Sequence, residues 1–328
     1  MKKFNLKAVT DYFVNHPLTN KAIEWSQNHS MPGFFKVPIY DVLVFLYRET
    51  KRSDLFTRAN SVAFNYFLSL FPSLMAFFTL IPLFKRMLIQ YLPEGENFDI
   101  YLRSEIQRIM PGVAGERLFS FIDDITNNPR FGLLSFGFIL AIYFASNGML
   151  ALMQGFEKSY HRTFRQRGEL KKRLIAILLT FQMGIVVIAA VILIILGEFL
   201  LNLLFELVRL DQFTEATIQF LRWVAIIMMF YFGIAIIYRY GAATVKRFKL
   251  FSPGATLATL LCILSSLAFS FYVNEFNTYN ELYGSIGAII VLMLWIQIIS
   301  FILLVGFELN ASIAVNRDLK AEREENNV

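Results

Sequence analysis

Six stretches of the chain hold apolar residues too densely, and for too long, to form one face of a soluble helix: 60–84, 131–156, 174–208, 221–240, 250–273 and 284–311. Crossing about 30 Å of hydrocarbon takes about 20 predominantly apolar residues in a helix, and each stretch reaches that length. In the last of them only Ser285, Gln297 and Ser300 interrupt the apolar run before Glu308 and Asn310 arrive. The pattern predicts an all-α, polytopic membrane protein with six transmembrane helices.

Between the apolar stretches the periodicity changes. In IYDVLVFLYRETKRSDLF, residues Ile39, Val42, Leu43, Leu46 and Tyr47 recur at helical spacing and are followed by Arg48, Lys51 and Arg52. That reads as an amphipathic N-terminal helix lying at a membrane surface. The 85–130 segment contains FDIYLRSEIQRIM and AGERLFSFIDDIT, split by Pro111 and Gly112, with apolar residues at three- and four-residue intervals. It predicts a small helical cap in an external loop. The third apolar stretch, 35 residues at 174–208, would reach ~52 Å as one helix, far beyond the hydrocarbon. A break at Gly197 is expected, with Glu198, Asn202 and Glu206 forming a polar stripe on an outer extension. The domain boundaries that follow are a cytoplasmic N-terminal segment at 1–38, a membrane domain at 39–315 and a charged cytoplasmic tail at 316–328.

Composition agrees with this division and charge orients it. The chain is 56% hydrophobic with a mean hydropathy of +0.52, more apolar than soluble domains. Its start, MKKFNLKAVTDYFVNHP, lacks a signal peptide's apolar core, so the N-terminus is expected to be mature sequence. Lys and Arg number nine before the first span, seven in 157–173 and four in 239–249, against one in 209–220 and none in 274–283. By the positive-inside rule both termini and the two basic loops face the cytoplasm. The single cysteine, Cys262, lies within the fifth span and excludes an intrachain disulfide.

The topology puts Arg58, Glu157, Arg239 and Glu308 at one depth, at the inner mouth of the bundle, with Asn310 beside them. Ionisable groups at that depth are costly unless paired or wetted, so Arg58 is expected to pair with Glu308 or Glu157; otherwise all four are helix-end charges in headgroup water. Deeper polar residues must also find partners or a wet cavity. Asn65, Ser69, Ser146, Asn147, Gln154, Gln182 and Gln297 could line one polar substrate groove, or each could tie two helices together. Pro72, Pro82 and the Pro253-Gly254 pair mark kinks or broken helices of the kind that border binding sites. A faint echo, FGLLSFG…GFE against YGSIGAI…GFE, gives Glu157 and Glu308 corresponding positions.

RANSVAFNYFLSLFPSL (Arg58 to Leu74), SPGATLATLL (Ser252 to Leu261) and YGSIGAIIVLMLWIQIISFILLVGFELNA (Tyr283 to Ala311) resemble the YihY/BrkB family of bacterial inner-membrane proteins, some of which were once labelled ribonuclease BN. The likeness covers about residues 40 to 315. Where the family often reads Gly-Ala-Glu-Leu-Asn, this chain has Phe307 in second place. The resemblance implies six spans, a bacterial cytoplasmic membrane, and roles ranging from export of lipid-like envelope precursors to virulence and serum resistance.

A nuclease would need acids or histidines clustered around metal ions. His16, His29 and His161 fall in no ligand spacing, and Asp123 and Asp124 lie in the external loop. The nuclease reading is rejected: no catalytic residues, no metal, no cofactor and no nucleic-acid partner are expected. A transporter or flippase-like protein for a lipid or lipid-linked amphiphile fits the polar groove and the basic loops, which hold Arg162, Arg165, Arg167, Lys171, Lys172 and Arg173, then Lys246, Arg247 and Lys249. Orientation alone would also account for those loops. The alternative is a non-catalytic scaffold that meets envelope partners through 85–130. A lipid-filled cavity would favour transport, and a dry, tightly packed bundle the scaffold.

Overall fold

In a computed structural model of the 328-residue chain the residues described are 17–35, 37–52, 55–70, 72–73, 131–207, 212–275 and 278–326, together with Arg103, Glu116, Phe119, Ser120 and Asp123. They are helical almost throughout: α1 Pro17–Asn28, α2 Ile39–Arg52, α3 at 55–70, α4 Phe131–Gly155, α5 Glu169–Leu207, α6 Gln212–Ile236, α7 Pro253–Glu275 and α8 Thr278–Asn326. Five of these helices are long and apolar enough to cross a membrane: α4, α5, α6, α7 and α8. The span expected at 60–84 is described only through 70 and at 72–73, where it is helical. Its remainder and most of the expected outer cap lie outside the described residues. Within the cap segment Arg103 pairs with Glu116 at 2.9 Å and lies 5.6 Å from the Phe119 ring centre.

The chain divides into two compact units, Asn65–Met149 and the remainder, Met1–Phe64 with Leu150–Val328. In the smaller unit α3 and α4 touch through a hydroxyl. Ser69 Oγ donates to its own helix at Asn65 O (2.6 Å) and accepts from the Gly148 amide at 2.9 Å. A Cβ on Gly148 would lie 2.6 Å from the Tyr66 ring, so this approach needs glycine.

In the larger unit the outward faces are apolar at helical spacing, as lipid requires: Leu174, Leu178, Phe181 and Ile185 on α5, and Leu260, Leu264, Leu267 and Phe271 on α7. The inward faces carry small residues, Ala176 on α5 and Ala255, Ala258, Thr259 and Cys262 on α7. Without a hydrophobic drive between helices in lipid, close approach supplies the contact energy. The closest approach is between α7 and α8, where a Cβ on Gly254 would land on the Gly306 carbonyl oxygen, and one on Gly306 would lie 2.5 Å from Tyr238 Oη and 2.7 Å from Ala258 Cβ.

Three features depart from the sequence pattern. First, α5 runs unbroken through Gly197 to Leu207, so the expected break is not there. A helical glycine costs only about 1 kcal/mol, whereas freed backbone groups in lipid cost several each. The side chains of Glu198, Asn202 and Glu206 lie outside the described residues. Second, α8 does not stop where its apolar run ends at Glu308: it is 49 residues long, ~73 Å at 1.5 Å per residue, and the charged tail is its last three turns. Third, α2 shares its apolar side with the protein. Ile39 and Val42 pack with Phe34, Val37 and the α8 residues Leu309 and Ile313, while Leu43 and Tyr47 remain exposed. The turn leading into α2 needs Gly33, at φ 90°, whose missing Cβ makes room for Pro253.

Candidate functional site

The buried face of α8 repeats every three to four residues through Leu304, Phe307, Glu308, Ala311, Ser312 and Val315. Phe307 fills an aromatic nest, stacked on Phe156 at 4.4 Å between ring centres and met edge-on by Phe164 and Phe248. One residue on, the same face presents a carboxylate. Glu308 is 0% exposed, and its Oε1 accepts from Arg58 Nη1 on α3 at 3.0 Å and from Lys158 Nζ at 2.7 Å. Arg58 also donates through Nη2 to the Gly155 carbonyl at the end of α4. Lys158 is 4% exposed and Arg58 21%, so the lysine has little water to fall back on. The other carboxylate oxygen, Oε2, is buried and has no hydrogen-bond partner.

That asymmetry gives the site its chemical interest. Taking each ion out of water costs several kcal/mol, and attraction repays this only when the remaining lone pairs are satisfied. Here two cations converge on one oxygen, while the second carboxylate oxygen is buried with no donor from the protein.

Sequence reasoning named Arg58 and Glu308 but missed Lys158 and put Glu157 in its place. The helical repeat ends at Gly155; turn-type bonds from the Phe156 and Glu157 amides to Met153 O and Gln154 O follow. Beyond that turn Glu157 points outward to Lys172 at 2.6 Å, and Lys158 points in. Arg239 also stands apart, in a π-helical turn, Ile237–Gly241, that closes α6, and donates to Phe248 O at 2.8 Å. Asn310, two residues past Glu308 on α8, works as a clamp on the start of α7. Its Oδ1 accepts from the Gly254 amide at 2.8 Å and its Nδ2 donates to Ser252 Oγ at 3.0 Å. Ser252 precedes Pro253 at the first helical position, so Asn310 and Ser252 share the capping of α7.

The residues proposed for a groove fall in both units. Ser69 bonds within the Asn65–Met149 unit as described, and Asn65 and Asn147 are half-buried there. In the other unit Gln297 Nε2 donates to Asn60 Oδ1 at 2.7 Å, joining α8 to α3. Gln154 is exposed. Both amide atoms of Gln182 are buried without a hydrogen-bond partner, beside Gly233 of α6. Among the described residues no group of three or more His, Cys, Asp or Glu is arranged to hold a metal ion.

A bundle of helices with lipid-type outer faces, small residues at its crossings and a buried ionic centre is a polytopic membrane protein. The profile of the family described as Virulence factor BrkB matches residues 46–328, and the chain belongs to that family. It is 30% identical over 266 residues, 81% of this chain and 92% of the relative, to the putative ribonuclease-like protein YfkH of Bacillus subtilis (strain 168). It is 31% identical to a UPF0761 membrane protein of Vibrio campbellii over 110 residues, about a third of each chain. A UPF0761 membrane protein of Xanthomonas axonopodis pv. citri is 36% identical over 84 residues, 26% of this chain and 20% of that one. No solved structure matches the chain.

Proposed function

We propose that this chain is a non-enzymatic transporter or flippase-like protein of the bacterial inner membrane, with both termini cytoplasmic, that moves a lipid or lipid-linked amphiphile in envelope biogenesis. The observation that carries the reading is the orphaned, fully buried Oε2 of Glu308 beside two cations in a membrane protein. Ionisable groups at such depth are expensive and are kept where they serve an ion or substrate path. An acceptor left without a donor costs about 1–3 kcal/mol, which a purely structural ion pair would avoid. The centre is also poised to rearrange. Arg58, 21% exposed, can swing its guanidinium toward water, leaving Glu308 to Lys158, so α3 and the turn after α4 can separate without stranding the acid.

Reconstitution tests this. Purified protein in proteoliposomes should accelerate leaflet exchange of at least one class in a panel of labelled anionic, zwitterionic and polyprenyl-linked lipids. If no class moves faster than in protein-free vesicles, transport gives way to the scaffold, a reading that the tight Gly254–Gly306 crossing would then support.

A further inference from the structure

The loops after α4 and α6 are joined edge to edge. Phe164 and Thr244 form an isolated antiparallel bridge, with Arg165 N donating to Ala243 O at 2.8 Å and Val245 N to Thr163 O at 2.9 Å. This pairing sets Arg165 beside the Lys246-Arg247 turn. The structure sorts the basic residues here by what neutralises them. Arg162 is held by Glu322 and Glu325 of the α8 extension, and Lys172 by Glu157 and Glu169. Arg167 turns inward and donates to Tyr240 O (2.9 Å), Gly241 O (3.0 Å) and Ala242 O (2.8 Å), capping the carbonyl end of α6. Arg165, Lys246 and Arg247 are exposed, and among the described residues no acid pairs with them.

These charges are crowded. Burial first, then the positive charges of Arg165 and Arg247, hold the Arg167 guanidinium below its ordinary value. The ring of Tyr240 takes Arg247 at 4.9 Å and Arg239 at 5.8 Å from its centre, so one aromatic ring organises two guanidinium groups. Exposed apolar side chains are interleaved with them: Val245 just before the Lys246-Arg247 pair, Leu250 and Phe251 just after. A basic loop meeting only water gains nothing from exposing Val245 and Phe251. At the boundary between headgroups and acyl chains the same alternation satisfies both layers.

The geometry points to a binding site for the phosphodiester headgroup of an anionic phospholipid, with Arg165 and Arg247 donating to the phosphate oxygens and Val245 and Phe251 against the acyl chains. Guanidinium groups suit this ligand because their forked donors match phosphate oxygens. The site is independent of the transport reading: it would anchor the chain in its leaflet whether or not any lipid is moved.

The test uses the intact chain in detergent micelles, titrated with phosphatidylglycerol or phosphatidylcholine, with lipid retention followed by native mass spectrometry. Phosphatidylglycerol should bind at least ten-fold more tightly. At ~1 kcal/mol per basic residue near a lipid surface, Arg165→Gln combined with Arg247→Gln should weaken it about 30-fold. Arg165→Gln alone, which removes no intramolecular ion pair, should weaken it about 5-fold on the same scale. The control Lys320→Gln with Arg323→Gln, which removes the same charge from exposed positions of the α8 extension, should change it less than about 2-fold, because neither side chain belongs to the arginine site and salt screens exposed charges. Equal binding of the two lipids, an equal loss in the control, or displacement of phosphatidylglycerol by millimolar inorganic phosphate would overturn the proposal.

Discussion

Replacing Lys158 by methionine removes the more deeply buried of the two cations on Glu308 while nearly preserving side-chain volume. The ammonium lies 2.7 Å from Oε1, and the two side chains are 4% and 0% exposed. Unit charges ~4 Å apart attract by about 4 kcal/mol at the effective dielectric of a partly screened site. Breaking such a pair costs about 3–5 kcal/mol, because the survivor is left buried and uncompensated. Arg58 at 3.0 Å offsets part of that, so Lys158→Met belongs at the lower end, about 3 kcal/mol. Glu308→Gln should cost a similar amount by stranding Lys158. Combined, the two substitutions leave only Arg58, which is partly exposed and can reach water. The double variant should therefore be more stable than the sum of the singles by about 1.5–3 kcal/mol. Unfolding in mixed micelles under increasing denaturing detergent supplies the four corners of the cycle. A coupling below about 0.5 kcal/mol would refute a buried ion pair as the organising contact.

Four further outcomes follow from the same geometry. Glu157→Gln, which removes a half-exposed partner of Lys172, should cost less than about 1 kcal/mol in the same assay. Asn310→Ala should cost about 1–3 kcal/mol, since it strips the Gly254 amide of its acceptor; a neutral result would mean water replaces it. Gly306→Ala should abolish folded yield, because its Cβ would meet Tyr238, Ala258 and the Gly254 carbonyl at once; normal yield would show that the α7–α8 crossing can open. In a Cys262-free background, single cysteines near 165 and 246 should label from the cytoplasm and those near 100 and 278 from outside; external labelling at 165 would reverse the orientation.

The helices were legible because lipid imposes a strict rule: every backbone polar group is bonded internally, so length and hydropathy alone mark α4, α6 and α7. The same rule explains the misreading at Gly197, where a weak local signal for a break met a much larger backbone cost. The unbroken α8 was missed for a related reason. Hydropathy falls after Glu308, but the helix continues because its next residues are buried against protein, as Ile313, Ala314 and Val315 are. At the site, Arg58 and Glu308 could be paired from topology and charge, whereas Lys158 depended on the turn after Gly155, where helical periodicity no longer says which way a side chain points. Adjacent opposite charges at a helix end, Glu157 and Lys158, were the one signal in the sequence that either residue could face inward.

On the proposed transport function, the Glu308 carboxylate is a working part of the lipid-moving protein and more than a clamp. Leaflet exchange in proteoliposomes, compared between wild type and the Glu308→Gln, Lys158→Met double variant at matched folded content, tests it most directly. The double variant should stay folded yet move lipid at least about ten-fold more slowly, a barrier change of about 1.4 kcal/mol. Wild-type rates in a folded double variant would contradict it.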